Sequence, residues 1–478
     1  MTPTSRPFLS ARQSLQPVEL ATRGYVEEEF LLTGQASIYD WAPLDATDGP
    51  VRVRASNVPY TTRFLLRRPA DAKKFSGRVI VELLNPTNQY DIAPLWGLSH
   101  EHFVRNGDVY VGVSIKPLAL QGLQKFNAQR YAKVSFAYNQ AAECAAGAPP
   151  AGFADDNSPT SENGLAWDVI AQMGALLRSS SRDNPLGDYK VRQVLAGGYS
   201  QTGGYLITYI NALHARLRLG TGAPVYDGYL QATGNFVAAP LNQCSAPLAA
   251  EDPRRRLGPH DVPVVYVNTQ SDFALNLALR RPDSDAPDDR FRQYELPGVG
   301  HDGPWPAGRP ADADLRALDL QRFDSGERCG APATDLEANA SYNAVWSLLQ
   351  NWVADLATVP PASRLIDVDD KGAAVLDAHG NARGGLRLPF LDVPVASYAG
   401  SSATTSQDPR VKLLCMLSGS AQKLDAAALK AMYRTKAQYI QQFGVATDAL
   451  VNAHAVLPID AAALKAQAAK IRFPGVGQ

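Results

Sequence analysis

A chain of 478 residues exceeds the roughly 250–300 at which one hydrophobic core stops growing, so an enlarged domain or two domains are expected. Hydrophobic residues at 45% and charged ones at 19% suit a packed core and exclude disorder. A net charge of −1 supplies no global field to draw nucleic acid or an anionic membrane, and no apolar run reaches the roughly 20 residues of a membrane span.

The start, "MTPTSRPFLSARQSLQP", has no apolar core of a secretory signal. A cytoplasmic protein is the default expectation, with a periplasmic or secreted protein whose signal has been removed as the alternative. "YVEEEFLLTGQASIYDW" and "VPYTTRFLLRRP" then alternate like antiparallel strands. "GRVIVELLN" (Gly77 to Asn85) is a denser run, suited to a strand buried on both faces. A loop and helix follow in "PTNQYDIAPLWGLSHEHFVRNG", and "DVYVGVSI" supplies another buried strand. In that helix, His100 and His102 flank Glu101. Positions two apart on a helix face different ways, so a surface helix is expected there and no metal site.

After the Gly/Pro-rich loop that begins at Cys144 comes the helix "LAWDVIAQMGALLRSS". "VRQVLAGG" is a strand, and "YLITYINALHARLR" a helix with Leu206, Tyr209, Ile210, Leu213 and Leu217 on one face. "VYDGYLQATG", "VPVVYVNTQSD" and "FRQYELPGVGH" read as three more strands, and "SYNAVWSLLQNWVADL" as a helix. Strands alternating with helices imply an α/β fold with a mostly parallel sheet covered on both faces. Around "ATVPPAS" the pattern changes to a hairpin, "KGAAVLDAHGNARGGLRLP", and helical segments such as "DAAALKAMYRTKAQYIQQF". The expected division is a core over 1–356, carrying the N-terminal antiparallel strands, and an extension over 357–478 packed on it.

Four cysteines in this length make no disulfide framework. Cys415 in "VKLLCML" reads as a small buried hydrophobe. Cys144, Cys244 and Cys329 lie in loop sequence, and Cys244 with Cys329 is the expected pair if any disulfide forms.

Chemistry concentrates at "GGYSQTGG", Gly197 to Gly204. A serine at a sharp strand-to-helix turn needs small neighbours, which is the physical content of the G-x-S-x-G elbow. Here the second glycine arrives one position late and Thr202 occupies the crowded place. No Gly-Lys-Ser/Thr ending follows, so a Walker-type phosphate loop is excluded. A serine nucleophile requires a base and an acid, which in this architecture follow it at the ends of later strands. "VNTQSDF" offers Asp272, and "LPGVGHDG" offers His301 in a glycine-bearing loop. Asp302, Asp283 and Asp285 are the competing carboxylates. Two backbone N–H groups would form an oxyanion hole. Gln201, directly after the serine, supplies one. In the loop "NPTN", Pro86 has no N–H, so Thr87 is the expected second donor, with Asn88 the alternative. Tyr199, Asn88 and Trp305 are expected to line a substrate pocket.

Together with "VIVELLNPTN", "VYVGVSIKP", "QRYAKV", "RFRQYELPGVGHDG" and "HGNARGGLRLPFLDVPVASYAG", these stretches resemble a bacterial alpha/beta hydrolase domain family whose elbow reads G-x-S-Q-[ST]-G. The resemblance implies an α/β-hydrolase fold and a Ser-acid-His carboxylic ester hydrolase. The expected activity is a serine esterase acting through an acyl-enzyme, with Ser200 as nucleophile, His301 as base and Asp272 as its partner. It would need no cofactor and no metal, and would take a small or polymeric ester. No nucleic acid or membrane partner is expected. An acyltransferase on the same triad, or a non-catalytic binding module, are the rival expectations.

Overall fold

The computed structural model describes residues 6–139, 160–234, 239–246, 248–249, 251–323 and 325–473. Cys144 and most of the loop it begins lie outside the described residues. In chain order the elements begin with β1 (Tyr25–Trp41), β2 (Val51–Pro69), β3 (Arg78–Leu83), α1 (Pro94–Asn106), β4 (Val109–Val113), α2 (Pro117–Phe126) and α3 (Ala166–Arg178). Next are β5 (Gln193–Tyr199), α4 (Gln201–Ala212), β6 (Gly228–Ala232), β7 (His260–Thr269), α5 (Gln270–Asn276), β8 (Ser284–Ala286), β9 (Asp289–Leu296) and α6 (Asp312–Ala317). The remainder is α7 (Ser325–Arg328), α8 (Asn339–Ala354), α9 (Pro389–Asp392), β10 (Ala396–Ala399), α10 (Pro409–Ser418), β11 (Ser420–Lys423), α11 (Ala426–Met432), α12 (Lys436–Asn452) and α13 (Pro458–Lys470). No helix among the described residues is long and apolar enough to cross a membrane.

The chain forms two compact units. One comprises Met1–Val264, Asp285–Arg290 and Pro306–Arg322, the other Val265–Ser284, Phe291–Trp305 and Phe323–Gln478.

In the first unit β1 and β2 make a long antiparallel pair, in register from Tyr25↔Pro69 to Trp41↔Val51 with irregularities around Ile38. Only the later part of β2 gains a second neighbour, pairing antiparallel with β4 from Phe64↔Val113 to Arg67↔Tyr110. Phe64, Leu65 and Leu66 are accordingly buried. β3 lies parallel to both β4 and β5, and β5 parallel to β6. With neighbours on both sides, "RVIVEL" of β3 is buried from Val79 onward, which is why its sequence reads as a continuous apolar run.

The strand order β1-β2-β4-β3-β5-β6 fixes where a site belongs. From β3 the chain steps outward to β4 on one side, and β5 then returns to the other side of β3. The crevice at such a reversal opens at the carboxyl ends of the strands. Leu83 of β3 is in register with Gly198 of β5, so the loop that begins at Asn85 lies beside Ser200. α1 buries His100 and His102 and leaves Glu101 exposed to pair with Arg23, so it is a core helix rather than the surface helix expected. Its contacts with β4 and β5 are the reason. α4 ends at Ala212, earlier than the apolar periodicity suggests, although Leu213 is still buried.

The second unit takes β7 from Val265 and β9 from Phe291; the two strands are neighbours, and α5 starts on the residue after β7 ends. The expected hairpin survives as isolated antiparallel bridges, Ile366↔Gly384, Val368↔Ala374 and Leu376↔Ala382, with Asp377 Oδ1 accepting the His379 and Asn381 N–H groups at the turn. The stretch read as one helix from Asp425 breaks into α11 and α12. Thr435 caps α12 by accepting the Gln438 N–H (3.1 Å), while Gln438 Oε1 accepts the Arg434 N–H (2.9 Å).

The expected Cys244–Cys329 pairing is corrected: Cys329 is bonded to Cys415, with Cα atoms 5.5 Å apart. Cys415 is fully buried as expected, yet as half of a disulfide. Cys244 is disulfide-bonded as well. Sequence spacing carries no signal for such a choice, because the pair is set by how α7 and α10 pack.

Candidate active site

Ser200 occupies the single residue between β5 and α4, with φ 58° and ψ −121°. A non-glycine residue held there stores roughly 1–3 kcal/mol of strain and persists only where neighbours over-determine it. They do. The Ser200 N–H donates to Ala232 O (2.9 Å) and Thr233 Oγ1 (3.1 Å) at the end of β6. A Cβ on Gly198 would lie 2.3 Å from Thr202 O, and one on Gly203 would lie 2.6 Å from Ala232 O. These two glycines are therefore demanded by the close approach of backbones.

Thr202 is tolerated in the crowded place because its hydroxyl is absorbed into the turn. Oγ1 donates to Leu83 O (2.8 Å), lies 3.1 Å from Tyr199 O, and accepts the Tyr199 N–H (3.1 Å). It ties the end of β3 to the elbow, and the residue is fully buried.

Sequence reasoning missed Asn85. Its buried amide donates to Tyr199 O (2.8 Å) and accepts the Thr87 N–H (2.8 Å), while its backbone forms a bridge with Ile92. The loop from Asn85 to Ile92 is thereby closed on itself and fastened to the elbow. Thr87 is corrected in consequence: its N–H is committed to Asn85 Oδ1. Gln89 donates to Pro86 O to complete the turn, and the half-buried Asn88 has no acceptor for its N–H among the described residues. Tyr199 is buried at the end of β5. An Asn two residues before the expected donor was visible in "NPTN", but the acceptor it reaches lies 114 residues away.

In the second unit, Asp272 in the first turn of α5 and His301 in the loop after β9 are brought together. Asp272 Oδ1 lies 2.8 Å from His301 Nδ1. Asp272 is fully buried and its other oxygen accepts the Thr269 hydroxyl. The carboxylate is thus satisfied on both oxygens and holds the ring at Nδ1. Of its competitors, Asp283 is engaged by the backbone N–H and hydroxyl of Ser363. Trp305 is buried, with its backbone N–H on Gly303 O (3.1 Å). No group of three or more His, Cys, Asp or Glu suited to a metal ion occurs among the described residues.

A family model for the alpha/beta hydrolase domain matches residues 1–466. The chain belongs to this family. Its fold is the α/β-hydrolase fold, a large, mostly parallel sheet flanked by helices, and membership supports a hydrolase. No curated protein matches the sequence. Solved structures similar to this α/β hydrolase include a fungal esterase from Rhizomucor miehei, at 10% identity and TM-score 0.32 over 70% of this chain and 85% of that one. The Pyrobaculum calidifontis esterase gives 10% identity and TM-score 0.28, covering 58% and 78%. An alpha-beta serine hydrolase homologue from Coxiella burnetii gives 8% and 0.27, covering 51% and 84%. Likeness this distant carries no argument about the reaction of this hydrolase.

Proposed function

We propose that this α/β hydrolase cleaves carboxylic esters through an acyl-enzyme, with Ser200 as nucleophile, His301 as general base and Asp272 as the carboxylate that orients and stabilises the imidazole. The observation that carries the reading is the Ser200 elbow, a strained non-glycine residue between β5 and α4 at the carboxyl edge of a parallel sheet. The buried Asp272–His301 pair supports it, since a carboxylate on Nδ1 selects the tautomer whose Nε2 can accept a proton.

In this mechanism His301 Nε2 takes the Ser200 hydroxyl proton as Oγ bonds to the ester carbonyl carbon. The carbonyl electron pair moves onto oxygen and is met by the Gln201 N–H, the first of α4, and by the Asn88 N–H. The carbon–alkoxide bond then breaks and the alkoxide leaves with the proton from His301. Water repeats the sequence on the acyl-enzyme, returning free Ser200 and a carboxylic acid. The second donor moves from Thr87 to Asn88 because the Thr87 N–H is already held.

Ser200→Ala is expected to lower kcat on p-nitrophenyl esters by roughly 10³-fold or more and to abolish stoichiometric labelling by a fluorophosphonate. Parent-like turnover in that variant would end the reading. A series of p-nitrophenyl esters of graded acyl length would then rank the substrates.

A further inference from the structure

His301 lies in a loop, Pro297 to Trp305, that no strand ladder holds. The first three residues of α5 grip it instead. Gln270 donates its N–H to Val299 O (3.1 Å) and accepts the Gly298 N–H on Oε1 (2.6 Å). Ser271 Oγ accepts the His301 N–H (3.0 Å), and Asp272 takes the ring. Ser271 also reaches the C-terminal segment. Its hydroxyl proton goes to Gly400 O, with Leu417 O at 3.3 Å.

The far side of the loop is held by the same C-terminal segment. Asp302 donates its N–H to Leu417 O (2.9 Å). A Cβ on Gly300 would lie 2.6 Å from Ser418 O, and one on Gly400 would lie 2.5 Å from the Gln270 carbonyl carbon, so these backbones are at closest approach. Leu417 and Ser418 end α10, two and three residues beyond Cys415, which the disulfide to Cys329 anchors.

We propose that Ser271 is a positioning residue for His301. It fixes the histidine backbone between the start of α5 and the disulfide-anchored α10 segment, so that Asp272 can aim Nε2. The physical argument is one of tolerance. Asp272 constrains the ring at Nδ1, but with the backbone N–H released the residue can pivot about that bond, carrying Nε2 away from the line of proton transfer. A displacement of about 1 Å can lower a rate by up to roughly 10²-fold without weakening substrate binding. This rests on the reading of His301 as the general base.

The test uses the full chain with Ser271→Ala, Ser271→Thr and His301→Ala, each titrated for reactive Ser200 with a fluorophosphonate. Ser271→Ala is expected to lower kcat per titrated site about tenfold, with KM within about twofold of the parent. Ser271→Thr, which keeps an acceptor oxygen, should recover most of that loss. Parent-like kcat per site in Ser271→Ala, with only a lowered melting midpoint, would overturn the proposal and leave Ser271 a packing residue. Parent-like turnover in His301→Ala would overturn the reading beneath it, which distinguishes the two failures.

Discussion

Asn85 uses both ends of one buried amide, tying the Tyr199 carbonyl to the Thr87 N–H. Asn85→Ala would take one donor from the Tyr199 carbonyl, which Thr202 Oγ1 also approaches at 3.1 Å, and the acceptor from the half-buried Thr87 N–H. A buried polar group left without its partner costs about 1–3 kcal/mol. The expected result is a loss of roughly 1–3 kcal/mol in urea unfolding and, on the proposed mechanism, a fall in kcat because the loop carrying the Asn88 N–H is no longer fastened to the elbow. Asn85→Asp should be no better, since a carboxylate accepts the Thr87 N–H but repels Tyr199 O. An unchanged unfolding midpoint in both variants would show that the clamp is dispensable. At this scale the elbow itself was legible, because crowding at Ser200 acts between residues a few positions apart and leaves its mark as glycine. Thr202 was legible as a departure and not as a solution. The Leu83 carbonyl that accepts its hydroxyl lies 119 residues away.

Among the elements, α1 shows how the sheet builds a helix start that its own residues cannot make. Ala93 at the N-cap has no side chain to accept from the first turn, and Pro94 has no N–H. Glu82 of β3 takes that place: its carboxylate accepts the Leu95 and Trp96 N–H groups (2.8 Å each) and the Tyr110 hydroxyl (2.7 Å). Burial nevertheless dominates, lifting its pKa from the ordinary 4.5 to about 7 against the opposing pull of those donors and of Arg67. The folded chain therefore holds this proton more firmly than the unfolded chain. Its contribution is fully present below pH 4.5 and is lost as pH rises through about 7.

The corresponding change is about 3 kcal/mol. Glu82→Gln should remove that part of the decline in urea stability between pH 4.5 and 8, so its profile will be flatter than the parent's. Parallel profiles would contradict the assignment. Glu162, raised to about 7 by burial, adds a decline of the same sign that the variant leaves in place. The strands and most helices were readable from periodicity. The break between α11 and α12 was written in Thr435 and Gln438 but hidden by a strong apolar pattern on either side.

For the molecule as a whole, the alpha/beta hydrolase family covers residues 1–466, and the Cys329–Cys415 bond closes a span of 86 residues in the second unit. A cross-link of that reach stabilises by about 2–4 kcal/mol, largely by restricting the unfolded chain. Replacing both cysteines with alanine should lower stability by that amount, and a non-reducing digest of the parent should yield the linked Cys329–Cys415 peptide. Recovery of Cys244 joined to Cys329 would refute this pairing. What short range controls was legible in the amino-acid order: strand and helix type, the glycine-crowded turn at Ser200, and the succession of Ser200, Asp272 and His301 along the chain. Steric crowding and hydrophobic periodicity act within a turn or two, so they leave local marks. Which distant groups meet is a matter of long-range packing: Asn85 with Tyr199, Ser271 with both His301 and Gly400, and Cys329 with Cys415. The entropy of closing a long loop varies only slowly with its length, so spacing cannot rank such partners, and the packing of the whole chain makes the choice.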